Sequence, residues 1–411
     1  MISDLCRQLD SSPTASHLVE YWSRKLVDHG FQEFAHGTPL DARGFVRVNG
    51  ALIAWTNTVD FQSRGIRIVG AHTDSPGLHV KQNPFTKVNN VQQIGVEIYG
   101  GPLLNSWLDR DLGVAGVVYD RSGKATLVST DRAVARIPQL AIHLDRDVNE
   151  RGLQLDKQQH VHPIWSTDDA IKSFESFLAA EFSLDEANVA SWSCQLFDIQ
   201  RANLFGLRNE FLTSSRLDNQ VSCWAAMNAL LDNDGDEPSL VALFDHEEVG
   251  SESTTGAAGP LLETTIERIA IAAGLDRAGF LGGLAKSHCI SADNAHAIHP
   301  NYPDRHDQKH APLINNGIAL KSNSSQRYAT SARSSIPVYA AAEKANVNLQ
   351  HFSSKNTMPC GSTIGPITAT RLGIETVDIG LPQLAMHSIR EMCGSEDPIS
   401  LYKLIKQYFA R

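Results

Sequence analysis

Cysteine is sparse and scattered. Six thiols, Cys6, Cys194, Cys223, Cys289, Cys360 and Cys393, are spread over 411 residues, and none sits in a C-x-x-C spacing. That pattern argues against a disulfide framework and against a cysteine zinc site. Reduced thiols in a cytoplasmic protein are the simplest expectation. Basic charge is also short, with 36 Lys and Arg against 46 Asp and Glu and a net charge of −10. A deficit of that sign argues against non-specific binding to nucleic acid or to an anionic membrane surface. No apolar run approaches the roughly 18 residues that a membrane-spanning helix needs. The opening residues, Met1 to Arg7, hold no basic stretch leading into an apolar one, so no signal peptide is expected. Internal repeats and low-complexity linkers are missing too.

With 42% hydrophobic and 20% charged residues, the chain has the composition of a folded protein. Its length exceeds what one small core serves, and two domains is the natural expectation.

The stretch Val241 to Ser251 organises the rest. Val241-Ala-Leu-Phe244 is wholly apolar and reads as a strand buried on both faces, as in a parallel sheet. It delivers Glu247 and Glu248 to the strand's carboxyl end, the edge at which open α/β sheets bind ligands. Adjacent carboxylates repel and are costly to desolvate, so a cation is expected beside them. One glutamate would bind a metal while its neighbour takes a proton from water.

Similar runs recur along the chain. Ser12-Pro-Thr14 precedes a helical pattern to about Asp28, with Leu18, Trp22 and Leu26 on one stripe. Phe45 to Trp55, turning at Asn49-Gly50, is a hairpin signature. Gly65 to Ala71 is a buried-strand run ending in His72-Thr-Asp74, and a carboxylate two residues on is one way to orient an imidazole. From about residue 86 to 202 the texture is β-rich: Val91–Tyr99, Gly113–Tyr119, Ala125–Ser129, Ala133–Ile137 and Ser191–Ile199, with a helix expected over 168–182. This region reads as a domain inserted into a catalytic domain formed by residues 1–85 and 203–411. Strand and helix alternation then resumes. Asp218 precedes an apolar helix from Val221 to Leu231, Asp293 follows the run His288–Ala292, and His387 follows Thr376–Pro382. A closing helix is expected from about Pro398 to Phe409.

His72, Asp218, Glu248, Asp293 and His387 thus each follow a buried-strand run or open the helix after one. They form a nitrogen and oxygen donor set suited to zinc, and also to manganese or cobalt. Three carboxylates, two divalent cations and one hydroxide sum to zero charge, which favours two metals over one.

The segments Ala71–Gly77, Ser215–Asn219, Asp245–Ser251, Ser291–His296 and Met386–Ser388, in this order, together resemble the aspartyl aminopeptidase family, which includes vacuolar aminopeptidase I among the dinuclear-zinc exopeptidases. Ile142–Asn149 and Lys321–Ala329 are similar to family segments as well. The resemblance runs from roughly Ser11 to the end. It implies a doubly wound α/β catalytic domain with a mixed sheet, interrupted by a β-rich dimerisation domain. It implies a homo-oligomer, a tetrahedral dodecamer built from dimers. His72 and Asp293 would hold one metal, Glu248 and His387 the other, and Asp218 would bridge. Glu247 would be the general base and Asp74 would orient His72. Lys321, with Tyr328 in the same segment, would recognise an acidic first residue. His143 would reach a neighbouring subunit's site and touch the substrate or the developing oxyanion. The implied activity is removal of N-terminal Asp or Glu from peptides. A neutral-residue aminopeptidase or an amidohydrolase with the same metals is the alternative. A silent scaffold is disfavoured, because a structural metal site needs no free base such as Glu247.

Overall fold

Four buried, parallel strands carry the runs that the sequence marks out. In the computed structural model, which describes residues 1–35, 38, 40–168 and 170–410, Ser239–Phe244 pairs with Arg67–His72, which pairs with His288–Ala292, which pairs with Glu375–Gly380. These four form the middle of a nine-stranded mixed sheet. Antiparallel Ala51–Thr56 and Gly44–Val48, then Gln32–Glu33, extend it on one side. Ile318–Lys321, antiparallel to Glu375–Gly380, and Leu349–Phe352 extend it on the other.

The alternation of side chains explains why these runs are mostly apolar. Val69, Val241, Ile290 and Val377 enter one core, with Trp22, Trp224, Leu401 and Phe409. Ile68, Ala242, Phe244 and Cys289 enter a second core, with Trp55, Phe61, Ile266 and Phe280. Both faces are therefore dry. Each fully buried large apolar side chain contributes about 1.5–3 kcal/mol of transfer free energy, before ordering entropy is subtracted. The helix Ala15–Asp28 starts where Thr14 Oγ1 accepts from His17 N, and it buries Leu18, Trp22 and Leu26. The Asn49-Gly50 turn joins two antiparallel strands as expected, with Asn49 at φ 51°. The last helix, Asp397–Ala410, buries Leu401, Leu404, Ile405 and Tyr408 at helical spacing.

By internal contacts the chain divides into two units: Met1–Asp74, Ala202–Met386 and Glu391–Arg411 in one, Ser75–Arg201 with His387–Arg390 in the other. The first also holds a small sheet of Asn203–Phe205, Phe211–Ser214, Glu391–Gly394, Pro382–Leu384 and Ala295–His296. The second is built on a six-stranded antiparallel sheet, in the order Ala125–Ser129, Leu112–Asp120, Val189–Asp198, Gly77–Val88, Val91–Tyr99, Ile164–Ser166. Its core gathers Leu78, Val96, Val114, Leu178 and Trp192.

Local differences from the sequence expectation have local causes. Gly77–Val88 pairs wholly within the second sheet, so that sheet begins ahead of residue 86. Ala133–Ile137 makes only isolated bridges, through Ala135, Arg136 and Ile137. The helix expected from residue 168 runs over Phe174–Phe182, because Ser173 caps it by accepting from Ser176 N. Asp169 lies outside the described residues. No helix among the described residues is long and apolar enough to cross a membrane.

Candidate metal centre

His72 is the last residue of its strand and is 1% exposed. Its Nε2 stands 3.5 Å from Asp218 Oδ1, 3.7 Å from Asp293 Oδ1 and 4.0 Å from Glu247 Oε2. His72, Asp218 and Asp293 offer one ligand atom each within 4.8 Å of one another, and so do His72, Glu247 and Glu248. The first unit therefore gathers one imidazole and four carboxylates at the carboxyl ends of its parallel strands.

The backbone places each of them. Asp218 sits where the helix Leu217–Leu231 departs from helical angles, at φ −82° and ψ 107°. That extended residue opens the helix. Its N–H donates to Glu391 Oε2 at 2.9 Å. Glu247 and Glu248 lie in a single helical turn entered through His246, a left-handed residue at φ 62°. Asp74 holds that turn. Its Oδ1 accepts from Glu247 N and its Oδ2 from Glu248 N, each at 3.1 Å. Asp74 also meets His72 Nδ1, at 3.1 Å through its main-chain oxygen and 3.3 Å through Oδ1. One aspartate thus contacts the ring of one donor and fixes the turn bearing two more.

Asp293 follows its strand by one residue. Lys321, 2% exposed, donates through Nζ to Asp293 O at 2.8 Å and Asn294 O at 3.1 Å, and stands 3.5 Å from Asp293 Oδ2. Its ammonium also lies 4.9 Å from the Tyr328 ring. The Tyr328 ring packs edge-on to Phe352 at 6.2 Å. Gly380 passes so close to the Asp293 main chain that a side chain there would overlap it.

The electrostatics follow from crowding. Burial lifts the Glu247 carboxyl to about 8; His72 opposes the shift, and the charges of Asp293 and Asp218 add to it. Burial and the charge of Asp218 push Glu248 well above the usual carboxylate range. Burial disfavours a charged His72, yet hydrogen bonding to Asp218, Asp293 and Asp74 raises it well above its ordinary value. Asp293, though buried, is held below its ordinary value by Lys321 and His72. Such a cluster keeps its carboxylates ionised only with added positive charge.

Two more residues singled out from sequence belong to the second unit. His387 is half-buried in the link between Pro382–Leu384 and Glu391–Gly394, at φ 67°, with Nδ1 3.1 Å from Gly101 O. His143 lies in the short turn Ile142–Leu144 of the second unit, exposed on its own chain rather than packed in a strand. Sequence reasoning missed Glu391, 1% exposed, and the amides that tie the donor loops together. Asn219 Nδ2 donates to Ala292 O at 2.8 Å, and Asn294 Nδ2 donates to Leu217 O at 3.0 Å and Gln383 Oε1 at 2.8 Å. The signal available for Glu391 was a carboxylate opening a short run of uncharged residues, Met392-Cys-Gly394.

Residues 8–409 match the family described as aminopeptidase I zinc metalloprotease, M18. This chain belongs to the M18 family. A probable M18 family aminopeptidase 2 of Streptomyces coelicolor is 44% identical over 406 residues, covering 96% of this chain and 94% of the relative. Among solved structures, a chain of an Ape4 and Nbr1 complex matches with a TM-score of 0.94 and 33% identity, covering 100% of this chain and 85% of that one. The S. cerevisiae mApe1 dodecamer matches with a TM-score of 0.85 and 27% identity, covering 99% and 96%. M18 membership makes the chain a metal-dependent aminopeptidase, a peptide hydrolase. Its own donors fit that family: one imidazole and several carboxylates suit zinc.

Proposed function

We propose that this M18 aminopeptidase holds two divalent cations and removes acidic first residues from peptides. The observation that carries it is the convergence of His72, Asp218, Asp293, Glu247 and Glu248 at one strand edge. His72 and Asp293 would hold one cation and Glu248 and His387 the other, with Asp218 shared between them, zinc being the first expectation and manganese or cobalt the alternatives. Cations bound there would supply Lewis acidity and lower the pKa of water toward neutrality. Glu247 takes the proton of the attacking water and returns it to the leaving amine. Asp74 fixes the position of Glu247 through the main chain and orients the His72 ring. Lys321 and Tyr328 favour Asp or Glu as the first residue; the segment's resemblance and its cation support this role.

A second specificity has an observation in its favour. Lys321 is buried and already donates to two main-chain carbonyls, which fits a neutral first residue if its charge serves Asp293 alone. A panel of chromogenic substrates differing only in the first residue separates the two. Faster turnover of Asp and Glu supports the acidic reading, and faster turnover of Leu or Ala rejects it.

The enzyme is proposed to work as a cytoplasmic homo-oligomer, a dodecamer built from dimers. The mApe1 dodecamer to which the chain is similar supports this. So does the second unit, where Leu140, Ile142, Leu144 and Leu153 are exposed around a cavity of about 1240 Å³. The exposed His143 beside that patch is the residue proposed to enter a neighbouring subunit's site.

A further inference from the structure

Asp378 is a fully buried acid at the centre of the main sheet, paired with Ser291 on one side and Lys321 on the other. Isolated charge in such a place is costly unless several donors meet it. They do. Its Oδ2 accepts from Ala329 N at 2.6 Å and its Oδ1 from Thr363 Oγ1 at 2.5 Å, while its own N–H donates to Thr330 Oγ1 at 2.9 Å. Thr363 in turn caps the helix Ile364–Leu372 by accepting from Gly365 N at 3.2 Å. Gly365 approaches so closely that a Cβ there would come within 2.5 Å of both carboxylate oxygens.

The consequence falls on the segment between Lys321 and Thr330, which leaves the sheet after Lys321 and forms no strand. At its far end Ala329 and Thr330 are both bonded to Asp378, the residue that faces Lys321 across the strand pair. Tyr328 is thereby held with its ring 4.9 Å from the Lys321 ammonium. One carboxylate closes the loop on itself and fixes the spacing of the two side chains.

We propose that Asp378 is a positioning residue that sets selectivity for the first residue of the peptide, acting through Ala329 and Thr363 on the Lys321–Tyr328 pair. It rests on the assignment of that pair to substrate recognition. It does not require that the preferred residue be acidic.

The test uses the metal-loaded full chain and substrates with Asp, Glu, Ala or Leu first. Asp378→Asn should narrow the span of kcat/KM between best and worst first residue by on the order of tenfold, the loss expected for a charge-assisted hydrogen bond. Zinc content should match the parent. Thr363→Val, which removes one donor, should narrow the span by about threefold. An equal loss on all four substrates, with metal and fold intact, overturns the proposal. Should Asp378→Asn fail to fold, Thr363→Val and Thr330→Val decide it, and an unchanged span in both overturns it. A parent enzyme that prefers Leu rejects the acidic reading while leaving the span to be scored on that residue. A parent with no preference overturns both.

Discussion

Lys321 donates to the main-chain oxygen of Asp293 at 2.8 Å and stands 3.5 Å from the carboxylate of the same residue. A lysine singled out for meeting substrate charge therefore also braces a proposed metal ligand. Lys321→Met keeps the length and removes both the charge and the donors. Loss of a group that orients a ligand commonly costs about 10–100-fold in metal affinity. We expect a weaker zinc titration in that range, with acidic substrates losing more rate than neutral ones once metal is saturating. Equal loss on both at saturating metal would confine Lys321 to the metal site.

Glu247→Gln preserves size and leaves Asp74 its main-chain donor, but removes the proton acceptor. Turnover should fall by about 10²–10⁴-fold while zinc content and melting temperature stay near the parent's. Near-normal turnover would show that the two glutamates' roles have been exchanged.

Chelation should abolish activity, and zinc, manganese or cobalt should restore it. Elemental analysis alongside the assay provides the check; full activity in verified metal-free protein would contradict the assignment.

Metal-free protein should lose stability as pH rises. The folded state holds Glu247 at about 8 against an ordinary value of 4.5, and His72 is raised as well. The folded state then binds more protons than the unfolded one, so stability falls with pH. That contribution is complete below about 4.5 and lost as pH climbs through about 8. Asp293 is depressed and adds stability only above its ordinary value of 3.8, so its contribution is steady across that window. Thermal scans from about pH 5.5 to 8 should show the melting temperature of metal-free protein falling and the gain on adding zinc growing. A gain independent of pH would argue that the carboxylates are not the metal's ligands.

Glu247→Gln and His143→Phe, each inactive alone, should recover some activity when dissociated, mixed and reassembled. Mixed oligomers confirmed by mass spectrometry yet wholly inactive would remove His143 from the neighbouring site, as would a monomer at working concentration.

What could be read from sequence was what short range dictates. An apolar run followed at once by His72, Asp293 or the Glu247–Glu248 pair is a strand delivering a polar residue to an edge, and periodicity alone reveals that. The partners of those residues could not be read this way. That Lys321 meets Asp293, that Glu391 meets Asp218, and that Asn294 meets Leu217 all depend on the strand order of two sheets. Asp74 shows the same limit. Its proximity to His72 is implied by a spacing of two, but its grip on Glu247 and Glu248 spans 173 and 174 residues.

The strand order also governs when this peptidase acquires its cutting edge. Glu375–Gly380, the last strand of the main sheet to leave the ribosome, lies between His288–Ala292 and Ile318–Lys321. Until it inserts, nothing joins the Asp293 strand to the Lys321 strand in register, and the buried faces waiting for Asp397–Ala410 remain wet. Domains fold as units while the chain emerges, and here the keystone of the nine-stranded sheet is the last of its strands in chain order. A chain shortened ahead of Glu375 is therefore expected to yield protein without a working centre rather than a slower enzyme.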